Sequence, residues 1–262
     1  MPSNQIPITE LAQLLRSAED QCVAIRPLTE QYPDLTVADA YEIQRENIAA
    51  RILAGERAVG RKIGLTSQAM QRLIGVNEPD YGTIMDTMVV GEDQKLNRQR
   101  FLYPRVEGEI AFVLEKDLEG PGLTIPTVLK ATAGVMACLE IVDSRIADWK
   151  IKLPDTVADN GSSARVVFGG PLVPVTQLDL RLLGMILEKD GQIAGTATGA
   201  AALGHPAHAV AWLVNKLADF GLGLKAGEFV LSGALTAAVN VEAGSVVRAT
   251  FDRLGSVSIR FV

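Results

Sequence analysis

The chain has little cysteine and little histidine: Cys22 and Cys138, His205 and His208. Two thiols are too few for a disulfide framework and fit a reducing compartment. Both histidines fall late in the chain, so the N-terminal half has none. No Lys/Arg-rich tract offsets the formal net charge of −6, which argues against nucleic acid as a partner. The start, MPSNQIPITELAQLL, lacks a basic segment followed by a long apolar run, so no signal peptide is expected. No apolar run reaches the roughly 20 residues of a membrane helix. Internal repeats, low-complexity tracts and obvious linkers are also missing. These absences lead us to expect a cytoplasmic protein without a membrane partner. With 48% apolar residues in 262, it can bury a sizeable core without staples.

The remaining patterns divide the chain in two. Ile8, Leu11, Leu14, Leu15 and Ala18 recur at helical spacing over residues 8–24. Thr36 and Asp39 have the spacing of a capping box, opening a helix that ends near Gly55. Residues 58–65, AVGRKIGL, read as a strand, Ser67 caps a short helix, and NEPDYG reads as a turn. From Arg105 onward strand-like runs dominate, at 105–114, 134–143, 164–168, 183–188, 228–233, 246–251 and 256–262. Helical stretches interrupt at 125–133 and at 206–220, where Pro206 and Gly221 mark the ends. The expected class is α+β, with a helical N-terminal region over 1–55 and a β-rich body over 56–262.

Two carboxylates lie inside one of the strand-like runs, RVEGEIAFVL. Alternation puts Val106, Ile110, Phe112 and Leu114 on one face and Arg105, Glu107 and Glu109 on the other, roughly 7 Å apart along the strand. Two like charges held together there cost repulsion and desolvation unless a cation lies between them. A third carboxylate, Glu140, sits inside the apolar run GVMACLEIVDSR, where a lone glutamate is costly to bury. Three carboxylates without a nearby His or Cys suit a hard divalent cation, Mg²⁺ or Mn²⁺. The alternative is a solvated sheet face on which Arg105 pairs with the two glutamates, and the strand by itself is compatible with either.

Longer motifs carry a resemblance. VGRKIGLTSQAMQRLIGVNEPDYG, PRVEGEIAFVLEKDLEGPG, LEIVDSRIADWKIKLPDTVADN and LKAGEFVLSGAL resemble the 2-keto-4-pentenoate (2-hydroxypenta-2,4-dienoate) hydratases of the fumarylacetoacetate hydrolase superfamily. The likeness spans nearly the whole chain and is weakest in the first 25 residues. It implies a fumarylacetoacetate-hydrolase-like β-rich roll with a small helical N-terminal region. It implies metal binding by Glu107, Glu109 and Glu140, and hydration of a 2-hydroxydienoate to a 4-hydroxy-2-oxo acid. It also implies homo-oligomers, and complexes with a sister pathway enzyme.

The same resemblance assigns acid–base roles to Lys62 and Asp80. Read alone, Lys62 beside Arg61 suits a surface position, and Asp80 suits ordinary turn hydrogen bonding. Burial near a metal would lower a lysine pKa and ease proton transfer. Asp159 and Asn160 resemble a site-lining pair, Asp159 catalytic and Asn160 on the substrate, and Ser162 is a candidate for the substrate carboxylate. Gly161 stands where such hydratases carry Ala. Fumarylacetoacetate-type C–C hydrolases use a histidine to activate water; its absence before the E-x-E strand argues against hydrolysis. His205, just before Pro206, reads as a helix-start residue. The sister reading is a 4-oxalocrotonate (2-oxo-3-hexenedioate) decarboxylase, towards which YPDLTVADAYEIQ, SSAR and LTAAV lean. Arg165 would then meet a second substrate carboxylate, whereas Asp80 and DWKIKLPDTVADN favour the hydratase. A third reading, a catalytically silent scaffold, would need no metal ligands at all.

Overall fold

The computed structural model describes residues 6–67, 71–72 and 75–262. Three N-terminal helices, Ile8–Gln21, Leu28–Gln31 and Val37–Leu53, precede the first strand. The capping box forms as its spacing requires: Thr36 Oγ1 accepts from Asp39 N at 3.1 Å and Asp39 Oδ2 accepts from Thr36 N at 3.0 Å. The third helix is tied to the body by Gln44, whose buried amide donates to the carbonyls of Tyr81 and Val157.

Thirteen strands follow among the described residues. They are β1 (Ala58–Gly64), β2 (Asp80–Met85), β3 (Val89–Val90), β4 (Lys95–Leu96), β5 (Arg105–Leu114), β6 (Thr132–Val142) and β7 (Ser163–Val173), then β8 (Gly184–Lys189), β9 (Gln192–Thr198), β10 (Phe229–Leu231), β11 (Val239–Asn240), β12 (Val246–Phe251) and β13 (Gly255–Phe261). Helices Ile125–Ala131 and Pro206–Ala218 fall within the helical stretches of the sequence, and β12–β13 form the expected hairpin around DRLG. His205 caps the latter helix, its Nδ1 accepting from Ala207 N at 3.1 Å. Five strands, β2, β3, β4, β9 and β11, fall outside the strand-like runs of the sequence. β2 occupies residues read as part of a turn, because pairing with β1 from Ala58 to Gly64 extends it. β9 lacks an apolar face and is held by pairing with β8. The short helix expected over 68–74 falls mostly outside the described residues. No described helix is long and apolar enough to cross a membrane.

The larger sheet runs β2-β1-β10-β5-β6-β7-β3, with β11 also on β5. β2 and β3 follow each other in the chain, joined by the turn Asp86–Met88, yet stand at opposite ends of this path. The sheet therefore curls into a roll. The smaller sheet, β4-β13-β12-β8-β9, packs on its outer face. Gly108 marks the contact: a Cβ there would lie 2.5 Å from Met185 Sδ, so glycine in mid-strand lets the sheets approach. The main core lies between the sheets and under the helices. A smaller cluster of Ile84, Met85, Met88, Ala111, Cys138, Val166 and Leu231 fills the inside of the roll.

Candidate active site

The carboxylates sit on the inner face of the roll. Glu107 on β5 stands directly opposite Glu140 on β6, and Glu109, opposite Cys138, is one same-face step along. One oxygen from each carboxylate lies within 4.8 Å of the other two. Glu109 and Glu140 are fully buried while Glu107 is partly exposed, so the cluster opens on the Glu107 side. Glu109 Oε2 accepts the amide of Gly233 at 2.6 Å. Glu109 Oε1 and both oxygens of Glu140 are buried with no hydrogen-bond partner. Burial first, and then repulsion from Glu140, hold Glu107 and Glu109 above the usual carboxylate range.

Lys62 reaches the cluster from β1, which lies two strands from β5 across β10. Its buried Nζ is 3.7 Å from Glu140 Oε2, the one cation within 4.0 Å of the three carboxylates among the described residues. Burial would lower the lysine pKa, as the sequence suggests. Glu140, Asp80, Glu107 and Glu109 together outweigh burial, and the net shift is upward. Lys62 is thus a charged ammonium facing a surplus of negative charge. Three carboxylates, two of them fully buried with three unpartnered oxygens between them, are oxygen donors suited to a hard divalent cation. Glu107, Glu109 and Glu140 could hold one, and the free oxygens of Glu109 and Glu140 are otherwise left desolvated.

Asp80 opens β2 rather than sitting in a turn, and its register against Gly64 points it inward with Lys62. Thr156 Oγ1 donates to Asp80 Oδ2 at 3.1 Å, and Oδ1 is buried without a partner. Gly161 sits close by: its φ is +60°, and a Cβ there would meet Lys62 Cε at 2.7 Å. In this chain glycine, rather than a small residue in general, lets that loop close over the lysine.

Four other expected site residues are engaged elsewhere. Asp159 is locked to buried Arg145: its Oδ1 pairs with Nε, its Oδ2 takes the Arg145 amide at 3.1 Å, and its carbonyl takes Nη2 at 2.6 Å. Burial still raises its carboxyl to about 6 against the pull of Arg145. Ser162 Oγ donates to Asp159 Oδ2 at 3.2 Å. The Asn160 amide bonds both ways to Thr83, accepting from its N at 2.8 Å and donating to its O at 2.9 Å. It thereby closes the free edge of β2 as a neighbouring strand would. Arg165 pairs with Ile141, one residue off Glu140, so alternation turns it to the outside of the roll. It lies over Phe101, with 5.8 Å from Cζ to the ring centroid. The three residues around Gly161 thus bond within the wall of the roll, and Arg165 lies outside it. Conversely, Gly233, Thr156 and Arg145 lie within the quoted motifs, yet their residue types give no reason to single them out. A backbone donor, a threonine among polar neighbours and an arginine in DSR look ordinary until the fold brings them in.

Two predictions follow from these contacts. Asp159→Asn leaves Arg145 buried without its counter-charge and should cost about 3–5 kcal/mol, read from urea denaturation; a loss below about 1 kcal/mol would refute the pairing. The second concerns pH. Carboxyls raised in the folded state bind more protons there than in the unfolded chain, so metal-free stability falls as pH rises through their titration. A bound cation competes with those protons, so the gain in Tm on adding Mg²⁺ after EDTA treatment should be larger at pH 8 than at pH 5.5. An equal gain at both would mean that the cluster is not where the ion binds.

The family model for the fumarylacetoacetate (FAA) hydrolase C-terminal region matches residues 65–262. A 2-hydroxyhexa-2,4-dienoate hydratase of Comamonas testosteroni is 46% identical over 253 residues, 96% of this chain and 94% of that one. A 2-hydroxypent-2,4-dienoate hydratase of Pseudomonas putida is 48% identical over 216 residues, 82% of this chain and 97% of its own. Among solved structures, a 4-oxalocrotonate decarboxylase from Pseudomonas putida G7, complexed with magnesium and adipate, superposes with a TM-score of 0.95 at 37% identity over 97% of each chain. The chain belongs to the fumarylacetoacetate hydrolase superfamily and, within it, to the family of 2-keto-4-pentenoate hydratases and 4-oxalocrotonate decarboxylases.

Proposed function

We propose that the chain is a divalent-metal-dependent hydro-lyase. It adds water to 2-hydroxypenta-2,4-dienoate to give 4-hydroxy-2-oxopentanoate, a step in the meta-cleavage breakdown of aromatic compounds. The observation that carries the reading is the enclosure of Lys62, Asp80 and a cluster of three carboxylates, with unpartnered oxygens on Glu109 and Glu140, within one roll, in a chain 46% and 48% identical to dienoate hydratases. Mg²⁺ or Mn²⁺ suits Glu107, Glu109 and Glu140 as hard oxygen donors. When bound, such an ion supplies Lewis-acid stabilisation of negative charge on the substrate's 2-oxygen.

The chain's own residues supply the rest. Ketonisation moves a proton from the 2-hydroxyl to C5, and hydration adds hydroxide at C4 and a proton at C3. Lys62 holds a proton at Nζ beside Glu140 and is the donor. Asp80, with one oxygen fixed by Thr156 and Oδ1 free, is the acceptor that orients water. The buried walls exclude bulk water and strengthen both electrostatic effects. We further propose a cytoplasmic homo-oligomer, able to associate with a sister enzyme of the same sequence of reactions.

The decarboxylase remains the second reading because of the 37% identical decarboxylase with the same fold. Arg165, turned out of the roll, no longer supports it. A paired ultraviolet assay with Mg²⁺ decides. Loss of 2-hydroxypenta-2,4-dienoate with no CO₂ from 4-oxalocrotonate supports the hydratase. CO₂ release with the dienoate untouched overturns it.

A further inference from the structure

Arg105 opens β5 and shares the inner face with Glu107 and Glu109. It stands one same-face step, roughly 7 Å along the strand, from Glu107. This is the side on which the cluster opens, since Glu107 is partly exposed and the other two glutamates are not. Had Arg105 served to neutralise Glu107, the two would be expected to form an ion pair. Among the described residues it makes no ion pair within 4.0 Å. Its guanidinium instead lies on the Trp149 ring, with Cζ 4.2 Å from the centroid. Its Nε is buried with no hydrogen-bond partner.

The platform is itself fixed. Trp149 Nε1 donates to the Tyr103 carbonyl at 3.1 Å, and the amides of Leu102 and Tyr103 bond the buried Asp143 carboxylate at 2.9 and 2.6 Å. Asp148 and Trp149 both adopt left-handed backbone, φ 56° and 55°, to present the ring. A planar cation held on an aromatic ring, with an unpartnered donor beside a carboxylate cluster, is pre-organised for a planar anion.

We propose that Arg105, stacked on Trp149, is the specificity-determining residue that grips a carboxylate of the bound acid at the mouth of the site. The inference rests on the reading of the site as one for 2-oxo and 2-hydroxydienoic acids. The carboxylate has two possible sources, the C1 group beside the 2-oxygen or a second carboxylate at the far end of a dioic acid. One forked guanidinium recognises either.

The test is calorimetric titration of the Mn²⁺-loaded protein with pyruvate and with 2-oxoadipate, two inert 2-oxo acids that differ by a tail ending in a carboxylate. Arg105→Met should raise Kd by roughly 10- to 100-fold. A rise for both acids assigns the C1 carboxylate, and a rise for 2-oxoadipate alone assigns the tail; each supports the proposal. Arg105→Lys should recover part of the loss, because charge survives but the fork does not. Trp149→Leu should weaken binding by roughly 3- to 10-fold through loss of the platform. Mn²⁺ affinity should stay within threefold in every variant, which a general loss of structure would not allow. Kd values within twofold of wild type for both acids in Arg105→Met and Arg105→Lys would overturn the proposal, as would failure of the wild-type protein to bind either acid. No turnover is involved, so a wild-type protein inactive on the dienoate but sensitive to Arg105→Met would sink the hydratase reading and leave this inference standing.

Discussion

Glu140→Gln is expected to cut turnover about 10³-fold or more and to weaken divalent-ion binding by at least about 100-fold. Glu140 has two buried oxygens without hydrogen-bond partners, lies opposite Glu107 and is the carboxylate nearest Lys62. Replacing one oxygen by an amide removes a negative charge from a set of three and points N–H donors at the place a cation would occupy. The metal-free protein should be little altered, because the same change relieves repulsion among buried carboxylates. Binding and stability can therefore be read separately. Wild-type protein should be stabilised by Mg²⁺, by about 2.7 kcal/mol at 100 times Kd and with a raised Tm, and the variant should lose most of that gain. A variant that keeps both the Mg²⁺-induced shift and its activity would remove the cluster from the mechanism.

Lys62→Met is expected to lower kcat by about 10²- to 10⁴-fold while the protein still binds the ion. The ammonium repels a cation held by the glutamates, so its removal should leave ion affinity equal or higher. Metal-free stability should move the other way. Lys62 is raised above its unfolded value, so its stabilising effect is fully present below about pH 10 and is lost only as pH rises through the folded pKa. At neutral pH, then, Lys62→Met should lower the Tm of EDTA-treated protein, and Mg²⁺ should restore it. Two measurements decide, isothermal titration with Mg²⁺ and single-turnover kinetics. Loss of ion binding in the variant, or kcat within about fivefold of wild type, would assign Lys62 to structure rather than to proton transfer.

The carboxylates and the acid–base pair differ in how openly the chain announces them. Glu107 and Glu109 stand two apart in a strand whose other face is apolar, and that local pattern predicts a shared face. Glu140 is conspicuous as a charge within an apolar run, but that it faces Glu107 depends on the register of β5 against β6. Asp80 is invisible as a strand residue because nothing in NEPDYG signals pairing; β1 supplies the partner. Asp159, Asn160 and Ser162 look like free polar groups in DTVADNGSS, yet Arg145 and Thr83, distant or unremarkable in sequence, engage all three directly or through Asp159.

Sequence by itself determined what alternation, capping and turn chemistry can specify within some ten residues. That includes the shared face of the E-x-E pair, the Thr36–Asp39 cap, the Pro206 helix start and the β12–β13 hairpin. Tertiary structure alone decided that β2 and β3 meet around a roll, that Lys62 reaches Glu140, that Arg165 is turned outward and that Arg105 rests on Trp149. The physical reason is that a one-residue slip in register exchanges the two faces of a strand. Register is set by packing between segments far apart in the chain, here Gly108 against Met185 and the Ile84–Leu231 cluster inside the roll.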